Sequence, residues 1–333
     1  MKEPQKTLMH DFAQTIHGQV LNASVNSPMD RFKTKIFNRL LTVMVESFND
    51  PLVTYSVGGF PLSIPLSHQL PFILKKYPYY SLNLVRIARH AKQKYEDLRF
   101  IDVGANIGDS IALLRKEVYF PILCIEGDEQ FYPILEGNKA LFTDVELAKC
   151  YVGESTLEIK SLISRDGGTA HINQDANQAS LDQTSDVMIK IERLSDVLQE
   201  RPSFLVSKMI KIDTDGFDCK ILRGAIDFLV SAKPIVFFEY DPFFLAQQND
   251  NNLLVFELFR ELNYKYLLIY DNLGDLMLST QTDNSDTLEE IHAYFSGRMG
   301  RQYCDICAFH MEDADLFQDV RRSEIQFSKA LRG

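Results

Sequence analysis

Three short stretches of this 333-residue chain gather residue types that could do chemistry: FIDVGANIGDS from Phe100, CIEGDEQ from Cys124 and IKIDTDG from Ile210. In the first, an apolar run ends at Asp102-Val103-Gly104 and a helix-like run opens at Asp109. Gly104 and Gly108 have no Cβ, so the chain can bend tightly there and let a ligand lie against backbone. A helix starting at Asp109 would add unsatisfied N–H groups facing a polar ligand group. Asn106 sits between the two glycines. In the second stretch Glu126-Gly127-Asp128 closes another apolar run. Glu126 follows the glycine turn by about 20 residues, the separation at which an acidic side chain accepts hydrogen bonds from both hydroxyls of a ribose. A nucleoside is the ligand class this pairing predicts. The bland alternative is a shaped turn and a solvated strand end; the two motifs in matching elements weigh against it.

The dinucleotide fingerprint is GxGxxG, whereas here the glycines bracket three residues, GANIG. Backbone approach to a pyrophosphate is less well provided, and Asp102 would repel one. An Asp in that place suits a ligand with an ammonium group, such as the methionine end of S-adenosylmethionine. In the third stretch Lys211 and Asp213 alternate along a strand end and face one way, with Asp215 next on the rim. Asp213 is a candidate to orient an acceptor hydroxyl or take its proton, and Lys211 to stabilise a developing alkoxide. The competing structural reading has Asp215 capping the next helix and Lys211 pairing with an acid. Group transfer to that hydroxyl mainly needs its oxygen held in line and water excluded. His68 and His171 are candidate bases near neutrality. Glu239, at the end of PIVFFE, and Tyr80, beside Tyr79, are candidate acceptor contacts. No metal is expected: the transfer needs none, DTDG lacks the ligand spacing of an EF-hand, and Cys304, Cys307 and His310 make three zinc ligands where four are needed.

These residues need a scaffold. From Arg99 onward short apolar runs alternate with helical ones, RFIDVG then DSIALLRKEV, PILCIEGD then QFYPILEGNKAL. That alternation predicts an α/β fold with a doubly wound, mostly parallel sheet, in which ligands sit beyond the carboxyl ends of the strands where strand order reverses. LEIKSLISRDGGTAHINQ and VMIKIERL interrupt it and predict an inserted hairpin with a Gly-Gly turn. YKYLLIYD and YCDICAFH read as an antiparallel closing pair. Upstream, Phe32, Ile36, Phe37, Leu40, Leu41, Met44, Val45 and Phe48 recur at helical spacing. Their stripe covers the main domain or makes a homodimer face. A proline-punctuated segment and the run YSLNLVRIARHAKQKY follow as a lid. The expected divisions are a helical and lid extension over 1–95, the main domain over 96–311 and a polar tail over 312–333.

The formal charge is -11, and no Lys/Arg stripe provides the footprint of a nucleic-acid binder. The N-terminal residues lack the apolar core of a signal peptide and no run of ~18 apolar residues suggests a membrane span, so a cytoplasmic protein is expected. Five cysteines, an odd number in apolar surroundings, imply no disulfide framework.

Over about residues 75–245, IDVGANIGDS, IEGDEQFYPILEGN, IKIDTDGFDCKILRGA and PIVFFEYDP resemble the FkbM-type S-adenosylmethionine-dependent methyltransferases, a branch of the class I Rossmann-like enzymes. The resemblance implies a seven-stranded sheet and O-methylation of a hydroxyl on a sugar, glycan or secondary-metabolite acceptor. It implies a cofactor loop of Asp102, Gly104, Asn106 and Gly108, with Glu126 on the ribose. Asp213-Thr214-Asp215-Gly216 departs from the family's Asp-x-Glu-Gly by one methylene. A nicotinamide-dependent oxidoreductase and a non-catalytic binding protein on the same fold are the other two readings.

Overall fold

The computed structural model describes residues 3–23, 28–166, 168–173, 186–248, 250 and 253–332. By its contacts the chain divides into two units, Met1–Pro78 with Arg165–Thr169, and Tyr79–Ser164 with Ala170–Gly333.

The first unit contains helices α1 (Glu3–Leu21) and α2 (Pro28–Phe48), strands β1 (Leu52–Val57) and β2 (Phe60–Pro65), and helix α3 (Leu70–Lys76). The antiparallel pair β1–β2 closes on Gly58 and Gly59, both at positive φ, as a two-residue hairpin turn requires. The Gln14 side chain of α1 donates to Thr54 O and accepts from Thr54 N, at 2.9 and 2.8 Å, standing in for a strand partner at the edge of β1. Ala13, Ile16, Met44, Val53, Val57, Leu62 and Ile64 are buried. The α2 stripe read from the sequence therefore divides: Met44 faces inward, Phe37, Leu41 and Val45 are half-buried, and Phe32, Ile36 and Phe48 are exposed.

The second unit opens with α4 (Leu82–Lys94), so the run expected to belong to the N-terminal extension is part of this unit. Then follow β3 (Phe100–Val103), α5 (Asp109–Arg115), β4 (Ile122–Glu126), α6 (Phe131–Lys139), β5 (Val145–Lys149), β6 (Tyr151–Gly153), β7 (Leu157–Asp166), β8 (Thr169–Asn173), β9 (Asp186–Arg193) and α7 (Leu194–Gln199). The rest runs β10 (Met209–Ile212), α8 (Asp218–Gly224), α9 (Ile226–Ala232), β11 (Ile235–Tyr240), α10 (Pro242–Gln247), α11 (Leu254–Glu261), β12 (Tyr264–Asp271), β13 (Leu276–Gln281), α12 (Ser285–Ser296), β14 (Cys304–His310) and α13 (Ala314–Arg332).

The main sheet is ordered β13-β12-β14-β11-β10-β3-β4-β5. Its five strands from β11 to β5 are parallel, while β14, β12 and β13 pair antiparallel. The expected closing pair is β12 with β14. The expected count of seven is exceeded by one, because the chain turns back at Gly274 and adds β13 at the edge. Every residue of β3, β4, β10 and β11 is buried, as central strands covered on both faces must be. The charged residues that break those apolar runs are Asp102, Glu126, Lys211 and Glu239. After β3–β4–β5 builds outward in one direction, β10 and β11 build in the other, so the order reverses between β3 and β10.

Two further expectations change. The interruption after β5 is a four-stranded sheet, β6-β9-β7-β8, rather than a lone hairpin, because β6 continues the chain from β5 and pairs parallel with β9. Of the Gly-Gly turn, Gly167 lies outside the described residues and Gly168 adopts a positive φ. The expected polar tail is helix α13, whose Leu316, Phe317 and Val320 are buried. Polar residues dominate its composition, but its apolar ones recur on one face. Arg86 of α4 donates to both carboxylate oxygens of Glu324 of α13, each at 2.7 Å, and lies 3.9 Å above the Phe327 ring. The Glu324 side chain is 1% exposed, and burial raises its carboxyl above the ordinary range. Arg86→Met leaves that carboxylate buried without its cation. The expected loss is about 3–5 kcal/mol in urea unfolding; a loss under about 1 kcal/mol, the scale of a surface pair, would show that the pair does not anchor α13.

Candidate active site

At the switch point the three motifs meet. Gly104 N and Ala105 N both donate to Ile125 O at the end of β4, and Asp213 N donates to Val103 O at the end of β3. A Cβ on Gly104, where φ is +78°, would stand 1.9 Å from Asp213 O. Only glycine lets the β3 and β10 ends approach so closely. Asn106, at φ 49°, turns its N–H to Glu126 Oε2 at 2.8 Å, and Asp128 N donates to Glu126 Oε1 at the same distance. The N–H groups of Gly104, Ala105 and Asn106 are thus committed to the protein, and the Glu126 carboxylate at the end of β4 lines the cleft beside them. Asn138 of α6 clamps the loop from behind, its Nδ2 donating to Ile107 O at 2.9 Å.

Burial pushes the Glu126 carboxyl up to about 7, against the pull of the N–H groups of Asp128 and Asn106. Two oxygens carry about four lone-pair sites, so a ligand hydroxyl can still be accepted beside the N–H groups of Asn106, Asp128 and Gly127. Glu126 borders a cleft whose other walls include Gly104, Asn106, Gly127, Phe131, Tyr151 and Val152. Gly127 makes the Tyr151 approach possible, since a Cβ there would meet the ring at 2.5 Å. The result is a slot with an apolar, partly aromatic side and a carboxylate at its end.

A second cavity adjoins, lined by Tyr80, Asn83, Lys211, Asp213, Glu239, Tyr303 and Asp305 among others. Among the described lining residues Asp213 alone borders both cavities. Glu239 and Asp305 are register partners across β11 and β14. Burial first, then Asp213, raises both of their carboxyls well above the ordinary range. Tyr80 and Tyr303 are raised by burial and by these carboxylates.

The cation amid this acidity is Lys211, itself buried. Its Nζ lies 3.3 Å from Asp102 Oδ1 and 3.0 Å from Asp213 Oδ2. Burial pulls Lys211 down, but the Asp102, Asp213 and Asp109 carboxylates together hold it well above its ordinary value. Asp102 is raised by burial to about 6, with Lys211 opposing.

Each site residue expected from the sequence now has a place. Gly104, Asn106, Glu126 and Gly127 line the first cavity with Asp215; Lys211, Glu239 and Tyr80 line the second. Asp102, expected to face a ligand ammonium, is instead wholly buried against Lys211 and lines neither cavity, because its register partner across β3–β10 is that lysine. Gly108 and Asp109 shape the α5 start without lining either cavity, and the Gly108 N–H is spent on Ala105 O. Lys211 does pair with acids, as its structural reading anticipated. Asp215 does not occupy the α8 cap position, which is Phe217; Asp218 holds the DTDG turn, its Oδ2 accepting from Thr214 Oγ1 and Gly216 N. His68 belongs to the first unit, where its Nδ1 accepts from Leu70 N and its ring packs on Gly168. His171 lies on β8, and its side chain is outside the described residues. Cys304 and Cys307, three apart on β14, point to opposite sheet faces and do not converge on a shared ligand.

Asn83, Tyr303, Asp305 and Asn138 were missed. Only Asn138 had a local signal, in the motif ILEGN; the others reach the site through the α4 packing and the β14 register.

Residues 102–266 match the methyltransferase FkbM domain. Methyltransferase 1 of Beauveria bassiana (strain ARSEF 2860) is 27% identical over 149 residues, 40% of this chain and 60% of that protein, so less than two thirds of the relative's length is spanned. Among solved structures, the methyltransferase FkbM from Methylobacillus flagellatus KT is 15% identical with a TM-score of 0.34, the match covering 68% of this chain and 48% of that one. The O-methyltransferase from Bacillus cereus in complex with SAH is 12% identical with a TM-score of 0.35, covering 68% and 79%.

The Lys211 contacts make a stability prediction. Lys211→Met leaves Asp102 buried and unpaired, at an expected cost of about 3–5 kcal/mol in chemical denaturation. Adding Asp102→Asn should recover part of it; equal stability of the single and double variants would count against the pair.

Proposed function

We propose that this protein, whose residues 102–266 match the methyltransferase FkbM domain, is an S-adenosylmethionine-dependent methyltransferase that methylates a hydroxyl of a small polar acceptor, such as a sugar, glycan or secondary metabolite. The observation that carries this reading is the pair of cavities joined at Asp213. The first fits the adenosine half of the cofactor. Glu126 has spare acceptor capacity for a ribose hydroxyl, and Phe131, Tyr151 and Val152 provide an apolar berth for the base. When bound, S-adenosylmethionine supplies an electrophilic methyl carbon on a sulfonium.

The second cavity fits the acceptor. Asn83, Glu239 and Asp305 present hydrogen-bonding groups suited to a polyhydroxyl compound, and Tyr80 and Tyr303 add ring faces with hydroxyl tips. Asp213, on the border, has a side chain 46% exposed and is the group best placed to orient the acceptor hydroxyl and take its proton. Lys211 holds that carboxylate in place at 3.0 Å and favours negative charge developing on the acceptor oxygen.

Calorimetric titration with S-adenosylhomocysteine, followed by an acceptor screen with labelled methyl donor, tests the proposal. Affinity should strengthen as pH rises through about 7, because the ionised Glu126 is the better acceptor and its carboxyl titrates near that value. Glu126→Gln should weaken binding roughly 10–100-fold, the worth of hydrogen bonds to a charged group, and flatten the pH profile. A wild-type protein that ignores S-adenosylhomocysteine but binds NAD would overturn the cofactor; one that binds it yet transfers to no acceptor would be the non-catalytic relative. Asp213→Asn is expected to lower turnover by about 100-fold with little change in S-adenosylhomocysteine affinity. An unchanged turnover would remove Asp213 as the base.

A further inference from the structure

Charge is unevenly distributed along the chain. Residues 1–78 carry eight Lys/Arg against five Asp/Glu, a net of +3, while residues 79–333 carry 27 against 41, a net of -14. Within the basic segment, α2 has two unlike faces. Met44 turns into the unit's core at 4% exposed. Phe32, Ile36 and Val43, at 61%, 44% and 45% exposed, fall within roughly 40° of one another on a helix turning ~100° per residue. Lys35 and Arg39 border this strip on one side, with Glu46 projecting between them, and Lys33 borders it on the other, all exposed, so the border is net basic. Three large apolar side chains in a line are more than scattered surface residues, and the core does not need them. An apolar strip edged by cations is the pattern of a helix that lies in the headgroup layer of a bilayer, its apolar side chains at the acyl boundary. Such a helix need not be long or apolar enough to cross a membrane, and among the described residues no helix is.

We propose that α2 docks this protein on an anionic lipid surface, with Phe32, Ile36 and Val43 inserted and Lys33, Lys35 and Arg39 on the lipid phosphates. The occupant follows from charge complementarity: the basic border selects an anionic partner, and the apolar strip requires one with an apolar layer beneath its charge. The inference is independent of the methyltransferase reading and stands or falls by itself.

The test is co-sedimentation of the full chain with vesicles of phosphatidylcholine alone and of phosphatidylcholine mixed with phosphatidylglycerol. Capture by the mixed vesicles and not by the neutral ones is expected, falling steeply with added salt. Each of Lys33→Gln, Lys35→Gln and Arg39→Gln should weaken it about fivefold. Phe32→Ser with Ile36→Ser should release the protein at unchanged melting temperature, because both side chains are already in solvent. The proposal fails if mixed vesicles capture no more than neutral ones, or if the charge variants bind as wild type. A lowered melting temperature in the serine variant would also overturn it, assigning the strip to the chain's own core. So would a dimer seen by light scattering that the serine variant dissolves, which would assign the strip to a second copy.

Discussion

The site depends on Lys211 being buried between two carboxylates at the place where strand order reverses. Its Nζ bridges Asp102 on β3 and Asp213 just beyond β10, so one charge ties together the two strands whose ends must meet. Each partner is costly alone: Asp102 is wholly enclosed and Lys211 nearly so. An isolated buried charge is penalised far more than a paired one, so neither can be removed without stranding the other. The same contact holds Asp213, the group bordering both cavities, from one side.

Around that contact the carboxyl ends of the parallel strands and the turns after them carry Glu126, Asp213, Asp215 and Glu239, and the amino end of antiparallel β14 adds Asp305. Like charges gathered in a poorly solvated rim raise one another's proton affinity, which is why burial and mutual repulsion recur as the causes of the shifts at Asp215, Glu239 and Asp305. A rim of this kind is poised to receive positive charge.

Much of this was legible in one dimension. The alternation of apolar runs and helical runs gave the doubly wound sheet, and continuous apolar strands with single charged interruptions marked Asp102, Glu126, Lys211 and Glu239 before any contact was known. Glu126 was legible because its distance from the glycine turn is a property of one βαβ unit, where sequence separation and spatial separation are locked together. The α13 helix was misjudged because composition counts polar residues without asking which face they occupy. The insertion was misjudged because strand pairing depends on a partner that sequence pattern does not name.

What the sequence by itself determined is local: the bend at Gly104, the strand end at Glu126, the turn at Asp213 to Gly216, and the amphipathic faces of the helices. These follow from backbone freedom and periodicity, which are written in consecutive residues. Only the tertiary structure decided that Asp102 turns inward to Lys211 rather than outward to a ligand, that Asp305 stands beside Glu239, and that Tyr80, Asn83 and Tyr303 close the second cavity. Those neighbours are set by sheet register and by helix packing across more than 100 residues of chain, as between Asp102 and Lys211. A shift of one residue in strand register would turn Asp102 or Asp305 to the opposite face.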